Sequence, residues 1–507
     1  YSEGYLTVSN VAFTNCNAYF GGAIYSEGYL TVSNVAFTNC DAIGDGSPMG
    51  GAIYSDGSLI VDCCNFTDGS AYYGGAIEAA GPFNVSNCIF TNCYATDAAG
   101  AIFYDVEEMN DSVMIKNSTF ISCGAYRYAG AVSGWGNCSF IDCTFEDCNA
   151  LNLVSTGLSG AGSICCQQGV INITNCSFIN SNSTYGGAIY SEYCVINVVD
   201  SSFTNCFASE AGGAIYSINS SLSVGKCSFV GCSAVDGGAI YSYCGIFNYN
   251  IFDNNNATHG KAILIGDSGL SDVNYNFFAF QNDVTDFPDD LVVMLSYDEE
   301  DNSIYESVNV TNWVVLNISS ADGYYFVNFV LNDGSALEES MPDYDVNLTI
   351  NGVSEVITVS DNTFKHINKA GDYLATSLAS GEVLATATIP ISNVSDYSVV
   401  TFDCDYGDIA KVGVLVPNGV TGTVSVKASG KVFTGVIKEG MAIVLLTGLN
   451  AGNYVLDVSY SGNGDFLPFN TTANVTVNKI HIIVTPTELS TTYDSGKYFQ
   501  VKVVNSN

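Results

Sequence analysis

Tyr1-Ser-Glu-Gly-Tyr-Leu-Thr-Val-Ser-Asn-Val-Ala-Phe-Thr-Asn-Cys16 recurs unchanged from Tyr25 to Cys40, which sets a period of 24 residues. Fixed-period repetition marks a supersecondary unit that buries its apolar face only by stacking on copies of itself. Followed onward, the repeat diverges, but two markers persist. A Phe recurs at 13, 37, 66, 90, 120, 145, 178, 203, 229 and 252, and an aliphatic residue at 24, 53, 77, 102, 132, 164, 189, 215, 240 and 263. Each series covers 239 residues in nine steps, about 26.6 per repeat, the length of one parallel β-helix coil with occasional loop insertions.

The aliphatic marker usually closes a Gly-Gly-Ala-Ile motif, as at Gly21 to Ile24, Gly74 to Ile77, Gly186 to Ile189 and Gly237 to Ile240. Its second Gly is present in nine of ten coils, with Lys261 the exception. The motif predicts a tight corner that excludes a Cβ, followed by a strand whose Ile points inward. The Ile and Phe series then form two interior ladders. A leucine-rich or propeller reading lacks the Leu framework and the Trp-Asp pairs it needs.

After Ile263 the motif stops. Residues 265–302 are acidic and predicted as a cap and transition. From about Ser303, strands with turn signals every 8 to 12 residues predict β-sandwich modules at 303–390 and 391–479, meeting near Pro390, and the start of a further, truncated module at 480–507. The fold class is thus all-β: a right-handed parallel β-helix over 1–264, about ten coils, followed by immunoglobulin-like β-sandwich domains. Because Tyr1 enters in mid-repeat, the chain is expected to be a piece of a longer array.

These residues resemble a known family. The Gly-Gly-Ala-Ile and Phe-x-x-Asn/Cys coils are similar to polymorphic outer-membrane-protein repeats and, more closely, to the adhesin-like surface proteins of methanogenic archaea. Gly419-Val-Thr-Gly-Thr-Val-Ser-Val426, Gly448-Leu-Asn-Ala-Gly-Asn-Tyr454 and Tyr460-Ser-Gly-Asn-Gly-Asp465 resemble the Ig-like repeats of those proteins, and Leu489 to Phe499 resembles the opening of another. The resemblance implies an extracellular, cell-surface contact protein without catalysis, whose partners are glycans or proteins of other cells, or copies of itself. A self-assembling fibre or envelope element is the alternative, and a β-helix carbohydrate-active enzyme the third reading.

Composition bears on the partners. With 13 basic against 51 acidic residues the net charge is −38, which repels nucleic acid and anionic lipid. No run of 18 apolar residues exists, so no span of the membrane is expected from this stretch. Sixteen Asn-x-Ser/Thr sequons, among them Asn65, Asn84, Asn117, Asn172, Asn219, Asn309, Asn347, Asn393 and Asn474, fit an exported glycoprotein.

Candidate sites follow from register. Tyr25, Tyr54, Phe103, Tyr190, Tyr216 and Tyr241 each follow the inward aliphatic residue, so alternation turns them outward as an aromatic stripe that either stacks on itself or forms a binding platform. Insertions at Asp41 to Met49, Asp105 to Asn110 and Ala150 to Ser159 are expected to bulge from the coils. Catalysis on sugar acids needs clustered Asp with Arg, Lys or His, whereas this chain has one Arg, Arg127, and three scattered His at 259, 366 and 481. No cofactor is expected. Calcium is the best-suited ion, through Asp283, Asp286, Asp289 and Asp290, Asp298 to Asp301, or Asp403, Asp405 and Asp408, though none follows the EF-hand order.

Eighteen of the 19 Cys precede residue 245, and none forms a Cys-x-x-Cys pair. Seven sit three residues after the ladder Phe and five sit two before it, which predicts stacked, reduced thiols acting as small buried hydrophobes. Mass spectrometry of unreduced, alkylated protein is expected to find most thiols alkylatable on unfolding; eight or nine disulfides would overturn this.

Overall fold

The computed structural model describes residues 1–106, 113–150, 160–266, 271–280, 287–298, 302–308, 310–394, 396–486 and 501–505. Its described residues are strands, turns and irregular segments with no helix. One coil runs Ile24–Ser26, Leu30–Ser33, Ala36–Thr38 and Asp41–Ala42. The first two lie on one face, the Phe strand on a second and the short Ala strand on a third. Successive coils pair in parallel and in register on all three faces.

Both ladders are continuous. Ile24 stands against Ile53, and the column runs on through Ile77, Ile102, Val132, Ile164, Ile189, Ile215, Ile240 and Ile263. The Phe rings stack nearly parallel with centroids 4.7 to 5.2 Å apart. That spacing is the inter-strand distance of about 4.8 Å, so the backbone pitch itself sets the stacking.

The corners explain the remaining repeat residues. Asn39, Asn92, Asp147 and Asn205 adopt left-handed backbone conformations with φ of 52 to 55°, which Asn and Asp tolerate better than other side chains. Each turns the next residue inward. There the Cys93, Cys148 and Cys206 thiols donate to the carbonyls of Phe66, Phe120 and Phe178 on the preceding coil, at 3.6 to 3.7 Å. Where Cys is replaced, Asn255 and Asn250 donate to Phe229 and Val224 at 2.9 Å. The corner therefore selects a short side chain with a donor. All 19 cysteines stand as free thiols, and burial pushes the Cys227 thiol up to about 12, which keeps it protonated as a donor.

The Gly pair carries two different constraints. The first Gly has a positive φ, +61° at Gly186, and the second has no room for a side chain. A Cβ on Gly187 would lie 2.0 Å from the Gly213 carbonyl oxygen and 2.7 Å from the Phe207 amide nitrogen.

The solenoid extends beyond its expected end. Ser271–Asn274, Asn276–Phe278 and Val292–Tyr297 form one more coil, with Phe278 under Phe252 and Val292 beside Ile263. The described residues within 265–302 are thus not merely a cap; inward apolar residues such as Phe278 and Val292 continue the ladders although the Gly pair is gone. Ser303–Ser307 then turns back antiparallel on Val292–Tyr297 and closes that face, so it belongs to the solenoid rather than to the first sandwich.

The first sandwich begins at Trp313–Ala321, which pairs in parallel with Asn276–Phe278, so one sheet passes from the solenoid into the module. Asp253, buried at the junction, accepts hydrogen bonds from the Tyr344 hydroxyl at 2.7 Å and from Ser377 Oγ at 2.7 and 2.9 Å. The second sandwich packs a three-stranded against a five-stranded sheet. Its Tyr454 hydroxyl donates to the Asn450 carbonyl, and Tyr373 in the first module donates likewise to Lys369, the tyrosine-corner device of Ig-like folds. Asp465 ties the two modules by accepting from the Ala370 amide at 2.8 Å. Ile482–Pro486 and Val501–Asn505 form one antiparallel pair; residues 487–500, which hold the Leu489 to Phe499 motif, lie outside the described residues.

The Gly187→Ala variant is expected to lose at least ~2 kcal/mol of stability, because backbone rather than a flexible side chain must give way. Gly464→Ala, with open space around its Cβ, is expected to be near neutral. Urea unfolding of the full chain checks both.

Candidate functional site

Where the Ala face meets the Ile face, the paired glycines leave a corner without side chains, and two outward columns converge on it. One is the predicted stripe, in register from Tyr25 and Tyr54 through Phe103 to Tyr190, Tyr216 and Tyr241. The other consists of residues preceding the Gly pair. Phe20, Met49, Tyr73 and Ala98 are bridged in register low on the solenoid, and Tyr185, Ala211, Asp236 and His259 higher up. The corner is therefore an external groove with two walls.

Rings of one wall lie over the other: Phe20 on Tyr54 at 4.9 Å, Tyr73 stacked on Phe103 at 4.9 Å, and Tyr185 on Tyr216 at 5.0 Å. This changes the reading of the stripe. Tyr25, Tyr54 and Tyr216 are half-buried, but Phe103, Tyr190 and Tyr241 are only 5%, 4% and 7% exposed. Of the two alternatives for the stripe, stacking on neighbouring rings describes most of its length, and the rings stay partly open only near Phe20, Tyr25 and Tyr54. The second wall was missed, although Phe20, Tyr73 and Tyr185 stand directly before Gly-Gly, a signal visible in the sequence.

Carboxyl groups interrupt the rings. Glu78 takes the place in the column between Tyr54 and Phe103. It is 7% exposed, and its Oε2 has no hydrogen-bond partner among the described residues. Burial above all, then the negative charges of Asp56 and Asp105, raise its carboxyl from the usual range to about 8. Asp97, on the other wall, lies 2.8 Å from Arg127 Nε, in ion-pair contact rather than an aligned hydrogen bond. Burial raises Asp97 and Arg127 opposes this. Near the open end the Tyr25 hydroxyl donates to Glu27 at 2.9 Å, and that bond leads in holding the phenol up at about 12. His259 contacts Asp236 at 2.7 Å through Nδ1. Arg127 and His259 are thus each held against one carboxylate, far apart along the stack.

The other candidates are dispersed. Of the sequons, Asn65, Asn117, Asn172, Asn219, Asn393 and Asn474 are exposed and Asn84 and Asn347 half-buried; Asn309 lies outside the described residues. In the Asp41 to Met49 insertion, the Tyr19 hydroxyl accepts from the Ser47 amide. Most of the insertions at 105–110 and 150–159 lies outside the described residues, as do Asp283, Asp286 and 299–301. Asp290 pairs with Lys261 at 2.5 Å, Asp298 accepts from Asn302, and Asp403 accepts from the Thr476 amide. Among the described residues no three potential ligands converge as a metal centre would need, and no helix is long and apolar enough to cross a membrane.

Residues 1–145 match the family described as Right handed beta helix region. The chain matches none of the curated proteins. Among solved structures it is similar, at 13% identity and a TM-score of 0.13, to a glycosyl hydrolase family 2 member from Bacteroides cellulosilyticus, over 31% of this chain and 23% of that one. It thus spans about a quarter of that hydrolase. A 1.5-MDa bacterial ice-binding adhesin is similar at 15% identity and a TM-score of 0.15, over 36% of this chain and 72% of that one. Fibronectin(III)-like modules of Clostridium thermocellum are similar at 14% identity and a TM-score of 0.15, over 32% and 95% of the two chains. At these scores the likenesses carry no argument for function.

Glu78 makes stability depend on pH. A carboxyl raised on folding contributes its stability fully below its unfolded pKa and loses it as pH rises to the folded value. Glu78→Gln is therefore expected to match the native chain near pH ~4 and to melt higher at pH ~8, the gap growing by up to roughly 1.4 kcal/mol per pH unit between. Melting curves that stay parallel across this window would contradict the assignment.

Proposed function

We propose that this chain is part of an extracellular, non-catalytic contact protein of the adhesin-like type, in which the solenoid presents the corner groove and the Ig-like modules serve as a stalk. The observation that carries the reading is the pair of ring columns flanking the bare corner, packed on each other over most of the rod and partly open at Phe20, Tyr25 and Tyr54. Flat rings beside carboxylate and phenol groups recognise sugars or side chains without any proton transfer. The sheet continuous from the solenoid into the first sandwich supports the stalk role, since a load on the rod passes through backbone hydrogen bonds rather than a linker. Such a protein works at a cell surface, and its partners are glycans or proteins of other cells.

The fibre alternative is favoured by one feature. On the second sandwich Phe402, Met441, Ile443 and Leu445 are 43 to 57% exposed, an apolar sheet face of the kind that mediates association.

The full chain is expected to bind whole cells or purified envelope glycans. Tyr25→Ala with Tyr54→Ala should weaken that binding at least tenfold while leaving the melting temperature within a few degrees. Concentration-dependent assembly without binding, lost on Ile443→Asp, would favour the fibre. Sustained release of reducing or unsaturated sugars from a polysaccharide panel would overturn the non-catalytic reading.

A further inference from the structure

Glu78 is the one carboxyl in the column of outward residues that otherwise holds Tyr54 and Phe103 on the coils beside it. Its Oε2 is buried without a donor among the described residues, and leaving such an acceptor unpaired is costly. Among the described residues the charges acting on it are those of Asp56 and Asp105, both negative. Tyr54 and Phe103 flank it in register, and Arg127 is engaged with Asp97. An acceptor lacking a donor, aromatic side chains above and below, and a negative surround are three conditions that one organic cation satisfies together. An ammonium would donate to Oε2, and its attached carbons would lie against the rings.

We propose that the Glu78 niche binds an alkylammonium group, one borne by a lysine side chain or an amino sugar. The proposal rests on the contact reading of the groove and names its ligand chemistry. A divalent metal fits the niche less well, because no three potential ligands converge there among the described residues. Binding is an exchange that balances: the neutral Glu78 carboxyl releases its proton to solvent, and the carboxylate left behind pairs with the incoming ammonium. Asp56 and Asp105, which oppose ionisation of Glu78 in the ligand-free protein, attract the ligand instead. Tyr54 is the further titratable group facing the niche, and it stays neutral throughout, its phenol raised by burial and by Asp56.

The test is calorimetry on the full chain with two probes, Nα-acetyl-lysine methylamide and glucosamine, each beside its Nε- or N-acetylated counterpart. At least one free amine is expected to bind and its acetylated counterpart not to. Repeating the titration in buffers of different ionisation heat should show proton release near pH ~7, and affinity should rise up to about tenfold per unit between pH ~5 and ~8. Whichever amine binds identifies a protein or a glycan as the source. Glu78→Gln, which keeps the shape and removes the charge, should lower affinity at least tenfold and abolish proton release while remaining folded by circular dichroism. Binding of neither amine, or binding that Glu78→Gln leaves intact, overturns the proposal. If cells still bind while both amines fail, the niche is wrong and the contact reading stands; if an amine binds while cells do not attach, the niche stands and the contact reading fails.

Discussion

The contact between the second glycine of one corner and the carbonyl of the equivalent glycine on the next coil fixes the spacing of the stack. A Cβ at Gly75 would stand 2.1 Å from the Gly100 oxygen, and one at Gly213 would stand 1.9 Å from that of Gly238. With the corners this close, coils hydrogen-bond in register on all faces, and the inward residues of neighbouring coils meet as like on like. Phe stacks on Phe and thiol follows thiol because the corner leaves no other register. Lys261, the exception, lies at the last of the ten positions, and its amide bonds the Asp290 carbonyl of the added coil, where the Gly pair is gone.

The same bare corner creates the external groove. Removing side chains at the bend lets the rings before it and after it approach from two faces, so a device that tightens the core also gathers aromatic surface outside it. The groove is not uniform. In its upper part Tyr185, Tyr190, Tyr216 and Tyr241 fill it for stability, while at its lower end rings remain partly open and the carboxyls of Glu27, Asp56 and Glu78 stand among them. Structural and contact roles thus divide along one column of equivalent positions.

Mechanically, the solenoid and its first sandwich are joined by shared strands and by a buried carboxylate. Asp253 is deeply buried yet accepts three hydrogen-bond contacts from Tyr344 and Ser377, so its oxygens are satisfied by residues about 100 positions later in the chain. Such a junction transmits orientation, which a flexible linker would not.

What the sequence by itself determined is everything that follows from period and alternation. The Phe and Ile ladders, the glycine corners, the thiol stacks and the sandwich modules could be read because an inward position sees only its own equivalents one coil away. Even the added coil was legible, for Phe278 follows Phe252 by 26 residues; the loss of Gly-Gly hid it. Only the tertiary structure decided what the outward residues meet. Phe103 lies against Tyr73, thirty positions earlier and on the other face of the corner, and Tyr216 against Tyr185. Those distances depend on how sharply the corner bends, which no spacing encodes. Hence the stripe proved half filled, and Glu78, unremarkable among 51 acidic residues, became a buried acid only once its neighbours had closed around it.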